Sequence, residues 1–166
     1  MIDRLSRSPS DYEGCFHSLS PTLQRLFIDA YQSYLFNLAL SERHSRYGIE
    51  AITNGDFVSP LDKWGSPSRP FRCNPSNISS LRAMVKAKRA SMMMRVIGEK
   101  SDFGGTEGGI YSEILEKEGI IIGDFHSVLG MNFDGTLLAA AFSPINYATV
   151  GEGSDEMNAG MCKLRI

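Results

Sequence analysis

The segment from Pro21 to Tyr47 has the periodicity of one long α-helix, and this feature constrains the fold more than any other. Its apolar side chains recur at intervals of three and four residues, which places them on one helical face. They are Leu23, Leu26, Phe27, Ala30, Tyr31, Tyr34, Leu35 and Leu38. Ser20 suits a helix N-cap, and Gly48 suits the residue after the helix ends. At ~1.5 Å per residue the helix would be about 40 Å long, enough to support a whole sheet.

A second helix is predicted after a stretch of loops. Between Ile52 and Asn74, glycine and proline interrupt every short apolar run, which is typical of loops and short strands. The helix then opens at Asn74 and carries Arg82, Lys86 and Arg89 outward at positions i, i+4 and i+7. Its inward residues are Ile78, Leu81, Met84 and Val85. The methionine run at 92–94 indicates a strand or a buried turn.

The remaining sequence alternates glycine-rich segments with short apolar runs. Residues 104–109 indicate a flexible loop rather than a phosphate-binding loop, because no Lys-Ser or Lys-Thr pair follows the glycines. This loop leads into a predicted helix over 110–118 that ends at Gly119. Strands are predicted at 120–122 and at 137–142, the latter buried on both faces. Residues 147–150 are expected to extend the strand at 137–142 or to form the next one. A further strand is expected at 161–166, after an exposed loop at 151–160.

The formal net charge of −2 conceals a strong asymmetry between neighbouring segments. Residues 69–100 contain eight basic side chains and one acidic side chain, a local charge of +7. Residues 101–124 contain six acidic side chains and one basic, a local charge of −5. Because a polyanion responds to the local field, the average charge does not exclude a nucleic-acid partner.

The chain has no local catalytic or metal-binding signature. There is no GxSxG or HExxH sequence. Cys15, Cys73 and Cys162 are odd in number and far apart, so neither a disulfide framework nor a zinc site is expected. No run approaches the ~20 apolar residues of a membrane helix, and residues 1–10 lack the apolar stretch of a signal peptide. We therefore expect a soluble, cytoplasmic protein without a metal site.

Three sequence motifs resemble those of the TruD family of tRNA pseudouridine synthases. Residues 30–37 read AYQSYLFN and are followed by LSER at 40–43, as in a helix of that family. Asn54-Gly55-Asp56 resembles the Gly-Asp turn of the family, and FSP with YATV, at 142–144 and 147–150, resembles its closing strand. The similarity extends over about residues 19–150. The motif residues expected to be structural or near a site are Tyr31, Gln32, Ser33, Phe36, Asn37, Asp56, Tyr147 and Thr149.

The resemblance implies an α+β fold, namely part of a pseudouridine-synthase catalytic domain with a smaller inserted α/β domain. On this scheme residues 1–58 and 125–166 supply the long helix and the closing strands of the catalytic domain, and residues 59–124 form the insertion. Because other strands of the sheet would be missing, part of the helix face should stay partly unburied unless a separate N-terminal half or a second copy covers it. The residues concerned are Leu26, Phe27, Tyr31, Tyr34 and Leu35.

The resemblance also implies a function, the conversion of uridine to pseudouridine in RNA without a cofactor, with tRNA as the implied partner. In the family an aspartate in a Gly-x-Lys-Asp motif drives this chemistry, whereas none of the nine aspartates here follows a lysine. No catalytic residue is therefore assigned, and we expect an inactive fragment or split-gene half. The alternative is a noncatalytic RNA- or protein-binding module derived from the same scaffold.

If the family function transfers, the basic segment would contact RNA phosphates. The central residues are Arg82, Lys86 and Arg89, and the outer residues are Arg69, Arg72 and Lys88. The same side chains also fit a solvated basic face that pairs with the acidic segment after it.

Overall fold

The computed structural model describes residues 2–48, 50–98, 101, 103–121 and 135–140. Its helices are α1 (Ile2–Arg7), α2 (Tyr12–His17), α3 (Pro21–Tyr47), α4 (Ile78–Lys86) and α5 (Gly105–Glu118). Its strands are β1 (Phe57–Pro60), β2 (Phe71–Arg72), β3 (Ala90–Arg95) and β4 (Leu137–Ala139). The α+β class is thus confirmed. None of the helices in these ranges is both long enough and apolar enough to cross a membrane.

The long helix α3 has the predicted bounds. At its start the Ser20 hydroxyl accepts a hydrogen bond from the Leu23 N–H. At its end Gly48 adopts a φ of 79°, which glycine tolerates because it has no Cβ, and its N–H donates to the His44 carbonyl. The buried side chains of α3 are Gln24, Gln32, Leu35, Phe36, Ala39 and Arg43.

The apolar face of α3 is only partly covered. Leu26, Phe27 and Tyr34 are about half exposed, at 59%, 52% and 48%. Tyr31 is partly buried and its ring stacks on that of Tyr34, with 6.0 Å between the ring centroids. Leu35 is fully buried in the core. The expectation of partial exposure is therefore confirmed for four of these residues and wrong for Leu35.

The strands form one antiparallel sheet in the order β2-β1-β3-β4. Met92 pairs with Val58, and Met93 pairs with Phe57. Because successive side chains of a strand point to opposite faces, Val58, Met92 and Met94 share the face that packs into the core. Phe57 and Met93 lie on the opposite face. The methionine run is thus a strand, one of the two structures that its composition indicates.

Helix α4 is shorter than predicted at both ends. At its start the side-chain oxygen of Asn74 accepts hydrogen bonds from two following backbone amides, which makes a turn ahead of the helix. At its end the chain turns through Lys88, whose φ is 57°, before β3 begins. Leu81 and Val85 are buried as predicted. Arg89 lies beyond the helix, so the prediction of a three-residue helical stripe is wrong.

Helix α5 begins at Gly105, so the glycine-rich segment forms its first turns and the predicted flexible loop is wrong. The Thr106 N–H donates to the Asp56 carboxylate at 3.0 Å, and the Glu107 carboxylate accepts from the Arg95 N–H at 3.0 Å. These contacts hold the start of the helix against the sheet and offset the low helix propensity of glycine.

Helix α5 ends at Gly119, as predicted, with a φ of 69°. The Ile120 N–H donates to the Leu115 carbonyl and so completes the helix terminus. For this reason Ile120 and Ile121 do not form a strand, and the predicted strand at 120–122 is wrong for the two residues that the structure describes.

Strand β4 confirms a strand within the predicted range 137–142. Leu138 is 44% exposed rather than buried on both faces, because β4 is the edge strand of the described sheet. The predicted strands at 147–150 and 161–166, and the loop at 151–160, lie outside the described residues.

One hydrophobic core joins the sheet to α3, α4 and α5. It includes Leu35 and Ile52 together with Met94 and Tyr111, which stand on the two sides of the predicted boundary at residue 59. The division into 1–58, 59–124 and 125–166 stays a prediction.

Candidate nucleic-acid interface

Exposed basic side chains gather at one end of the sheet. β1 ends at Pro60 opposite Ala90, where β3 begins, so the loop after β1 and the turn before β3 lie side by side. A hydrogen bond of 2.9 Å from the Leu61 N–H to the Arg89 carbonyl joins them. This surface, here named the basic end, carries the exposed residues Lys63, Arg69, Lys86, Lys88 and Arg89.

Arg69 and Lys86 reach the basic end from neighbouring elements. The N–H of Ser68, the residue before Arg69, donates to the Pro60 carbonyl at 2.9 Å, so the approach to β2 lies beside the end of β1. Lys86 is the last residue of α4, directly before the turn that carries Lys88. In the part of the chain that the structure describes, none of the five basic-end side chains forms an ion pair.

The acidic segment does not neutralise this surface where the structure describes it. Glu113 binds Arg46 of α3, with 2.6 Å between Oε2 and Nη2. Glu107 is buried and accepts a backbone hydrogen bond from Arg95. Two acidic side chains of the segment therefore have their partners elsewhere in the fold, away from the basic end.

Asp62 shapes the loop that follows β1. Its Oδ1 accepts hydrogen bonds from the N–H groups of Trp64 and Ser66, at 2.8 and 2.9 Å. A β-bridge between Leu61 and Pro67 closes the base of the loop. Asp62 is the one acidic residue in the sequence from 57 to 98, against the five basic residues of the basic end. The basic end therefore keeps a large local excess of positive charge.

Trp64 stands in this loop with 74% of its surface exposed. The ammonium group of Lys63 lies 5.1 Å from the centroid of the Trp64 ring. Neither residue is among the sequence-predicted site residues. The sequence feature that could have indicated them is Lys-Trp-Gly between Pro60 and Pro67, which places a cation and an aromatic ring in a predicted turn.

Two arginines that the sequence groups with these residues lie elsewhere. Arg82 donates from Nε and Nη2 to the Ile52 carbonyl, at 3.2 and 3.0 Å, and so braces the loop after α3. The guanidinium carbon of Arg72 lies 5.6 Å from the centroid of the Phe57 ring, at the end of β1 away from Pro60. The structure brings together Arg69, Lys86, Lys88 and Arg89. Arg72 lies at the other end of β1. Arg82 is one helical turn before Lys86 on α4, but its side chain is bound to the Ile52 carbonyl.

Asp56, the aspartate of the Gly-Asp turn, is buried, and its carboxylate accepts hydrogen bonds from several segments of the chain. Its Oδ2 accepts hydrogen bonds from Arg43 Nη2 at 3.0 Å and from the N–H and hydroxyl of Thr53. Its Oδ1 accepts from the N–H and hydroxyl of Thr106 at 3.0 and 3.1 Å. These donors surround the carboxylate, which joins the loop after α3 to the start of α5.

The inward motif residues of α3 are part of the scaffold. Gln32 is buried, and its Nε2 donates to the Ile97 carbonyl at 2.6 Å. Phe36 lies in the core, and Tyr31 packs against that core. These residues fix α3 to the segment that follows β3.

The outward motif residues form a different group. The Ser33 hydroxyl donates to a carbonyl in the preceding turn of the helix, at 2.8 Å, and Asn37 is exposed. Tyr147 and Thr149 lie outside the described residues.

Glu107 and Tyr111 bind the backbone N–H and carbonyl of Arg95. The Glu107 Oε2 accepts from the Arg95 N–H, and the Tyr111 hydroxyl donates to the Arg95 carbonyl at 2.6 Å. Burial raises the pKa of Glu107 to about 7, opposed by the Arg95 N–H and the Arg95 charge. Among the residues that the structure describes, Glu107 Oε1 and Arg95 Nε have no hydrogen-bond partner. On the side of β3 that faces β1, the two α5 side chains take the place of a strand partner for Arg95, because β1 begins only at Phe57 opposite Met93.

Fold and surface together define an α+β domain whose helix-backed antiparallel sheet presents a basic end suited to a polyanionic partner. Within the described ranges no group of three or more His, Cys, Asp or Glu side chains is placed to hold a metal ion. The family model for tRNA pseudouridine synthase D matches residues 1–161. The chain belongs to the tRNA pseudouridine synthase D (TruD) family.

Individual relatives agree with this assignment. The chain is 34% identical to the Probable tRNA pseudouridine synthase D of Thermoplasma volcanium, over 82% of this chain and 35% of the relative. It is 30% identical to that of Methanosarcina acetivorans, over 98% of this chain and 38% of the relative. The crystal structure of a tRNA pseudouridine synthase D from Methanosarcina mazei is similar, with a TM-score of 0.67 and 25% identity, over 84% of this chain and 33% of that one. The chain thus spans about a third of the length of these relatives.

Proposed function

We propose that this chain is the RNA-holding portion of a tRNA pseudouridine synthase and that a further segment of polypeptide carries out the isomerisation. Family membership supports the reaction class, since the relatives are named for that reaction. The observation that carries the RNA-holding role is the basic end. Five exposed basic side chains meet there, and none is engaged in an ion pair within the described ranges.

The basic end would bind RNA mainly through phosphates. Lysines act as point charges, while Arg69 and Arg89 present planar forks that match two phosphate oxygens. Each neutralised phosphate releases condensed counterions, so the affinity should fall as salt rises. Phosphate contacts position an RNA without reading its sequence. The choice of uridine would therefore rest on other contacts.

The chain by itself should not catalyse the isomerisation. The aspartate of the family motif follows a lysine, and none of the nine aspartates here does. Asp56 is no substitute, because its side chain is 3% exposed and both oxygens accept hydrogen bonds from the fold. A nucleophilic carboxylate must reach the reacting base, whereas this one is enclosed.

A catalytic segment should dock on the exposed face of α3. Leu26 and Phe27 expose more than half of their surface, and contiguous apolar surface of this kind marks an interface. In this scheme residues 1–58 and 125–166 belong with the catalytic domain, and residues 59–124 form an insertion that carries the basic end. The covering chain would be a separate N-terminal half or, failing that, a second copy.

Titration of labelled tRNA at several salt concentrations tests the RNA-holding role. Lys86→Ala with Arg89→Ala should weaken binding and flatten the salt dependence, by roughly 0.7 in log–log slope for each lost contact on single-stranded RNA. The matched control is Arg7→Ala with Lys117→Ala, which removes the same charge from exposed sites on α1 and α5. Identical binding curves for wild type and both double variants would exclude the basic end as the RNA-binding surface.

The noncatalytic binding module remains the second candidate, because no Lys-Asp pair is present. A separately produced TruD segment that contains Gly-x-Lys-Asp distinguishes the two candidates. Formation of pseudouridine in tRNA only when both chains are mixed would support the synthase portion. RNA binding without activity in the mixture would support the module, and activity of the purified chain alone would contradict both.

A further inference from the structure

Trp64 is the most exposed large apolar side chain in the described part of the structure, at 74% of its surface. Exposing an indole ring to water is unfavourable, because the free energy gained by burying such a side chain is several times that gained by burying a methylene group. With this exposure the ring cannot have both faces covered. An open aromatic face on a protein that acts on RNA is a surface on which a base can stack.

The loop holds the ring in a defined place. The carboxylate of Asp62 accepts the N–H groups of Trp64 and Ser66, and the Asp62 N–H donates to the Ser66 carbonyl at 2.9 Å. Gly65 adopts a φ of 76°, which permits the tight turn directly after the ring. These bonds fix the backbone on both sides of Trp64. The loop should therefore lose little conformational entropy when a ligand binds.

The surroundings of the ring match a nucleic acid better than a protein surface. Lys63 lies 5.1 Å from the ring centroid, and Arg89 lies across the hydrogen bond from Leu61. Lysine is depleted at protein–protein interfaces, and here a lysine lies directly over the ring. Cations beside an open aromatic ring instead suit a base together with its flanking phosphates.

We propose that Trp64 stacks on an unpaired base of bound RNA while Lys63, Lys88 and Arg89 contact the adjacent phosphates. The ligand class is thus single-stranded or loop RNA, because a base inside a duplex already stacks on both faces. This inference rests on the proposed RNA-holding function and adds to it the residue that distinguishes unpaired from paired RNA.

The single tryptophan of the chain allows a direct test. We would titrate the full chain with a short oligouridylate and, in parallel, with an RNA duplex of equal length. Fluorescence anisotropy of labelled RNA measures binding, and intrinsic fluorescence reports on Trp64. We expect the oligouridylate to quench the tryptophan, and the duplex to bind without quenching it.

Two variants and one control complete the experiment. Trp64→Ala should weaken oligouridylate binding by roughly 5- to 150-fold, the loss of one stacked base. Trp64→Phe keeps an aromatic face and should retain most of the affinity, which also shows that the loop still folds. Tyr12→Ala removes a second highly exposed aromatic ring, on α2, and should leave binding unchanged.

The outcomes separate this inference from the function on which it rests. Binding by anisotropy with neither quenching nor an effect of Trp64→Ala would overturn the stacking role and leave the basic end as an RNA surface. Equal quenching by duplex and oligouridylate would overturn the selectivity for unpaired bases. Loss of all RNA binding in the wild-type chain would overturn both proposals.

Discussion

The Asp56 carboxylate and the Arg43 guanidinium form a buried ion pair, with 3.0 Å between Oδ2 and Nη2 and with 3% and 2% of the two side chains exposed. Arg43 also donates to the carbonyls of Gly48 and Ala51. The pair therefore closes the loop between α3 and β1 from both of its ends. Thr106 adds the start of α5 to the same junction through its hydrogen bonds to Asp56.

Removing one partner of this pair should destabilise the fold strongly. Asp56→Ala is expected to lower the free energy of unfolding by about 3–5 kcal/mol, because the Arg43 charge would remain buried without a counter-ion. Asp56→Asn keeps one acceptor oxygen and should cost less. Urea unfolding measures both, with Asp29→Ala as the control, because its exposed pair with Arg25 is worth about 1 kcal/mol or less. Equal losses for Asp56→Ala and Asp29→Ala would show that the buried junction is unimportant.

A side chain should be tolerated less well at Gly55 than at Gly48. Both have a positive φ, 94° and 79°, so alanine is strained at either position by roughly 1–3 kcal/mol. At Gly55 an added Cβ would also collide with the backbone nitrogen of Gly105, while the space around Gly48 is open. Gly55→Ala should therefore lower the thermal midpoint clearly more than Gly48→Ala. Similar midpoints for the two variants would contradict the close packing of the turn against α5.

The long helix was predictable from local information alone. Its apolar period, its Ser20 cap and its Gly48 terminus all lie within or beside the segment, so the predicted bounds match the observed ones. The start of α5 was not predictable in this way. Glycines favour loops, and the helix begins at Gly105 because Asp56, distant in sequence, accepts the Thr106 N–H.

The basic end was only partly predictable for a similar reason. Sequence spacing places Arg82 and Arg89 on one helical face, but α4 ends at Lys86 and Arg82 binds the Ile52 carbonyl. The antiparallel pairing of β1 with β3 brings Leu61, at the base of the loop that carries Lys63, beside Arg89. Which residues lie side by side at this end depends on the register of the strands, and helical periodicity in the sequence does not predict that register.

Glu107 should make stability depend on pH. Burial raises its pKa to about 7 in the folded protein, above the value of about 4.5 expected when unfolded. Between these values the folded state binds more protons, so the contribution of Glu107 to stability is fully present below about pH 4.5 and is lost as pH rises to about 7. The groups that face this carboxylate are Arg95, Asp56 and Arg43.

Glu107→Gln isolates this effect, because the glutamine cannot ionise and still offers an oxygen to the Arg95 N–H. Relative to wild type, the variant should gain up to about 3 kcal/mol in unfolding free energy between pH 5 and pH 8. Urea unfolding at the two pH values measures the difference. Glu113→Gln, on the exposed face of α5, is the control and should show no comparable gain. A pH-independent difference between wild type and Glu107→Gln would contradict the raised pKa.

The exposed face of α3 should drive association without contributing to the stability of the isolated chain. Leu26 and Phe27 are 59% and 52% exposed, so replacing both with serine removes apolar surface that the fold itself hardly buries. The unfolding free energy should change by no more than about 0.5 kcal/mol per substitution. Sedimentation velocity should show concentration-dependent assembly of the wild-type chain, or its assembly with a catalytic TruD segment, and loss of that assembly in the double variant. Tyr12→Ser, at a still more exposed position on α2, should leave assembly intact. A wild-type chain that stays monomeric at every concentration and ignores the catalytic segment would rule out α3 as the interface.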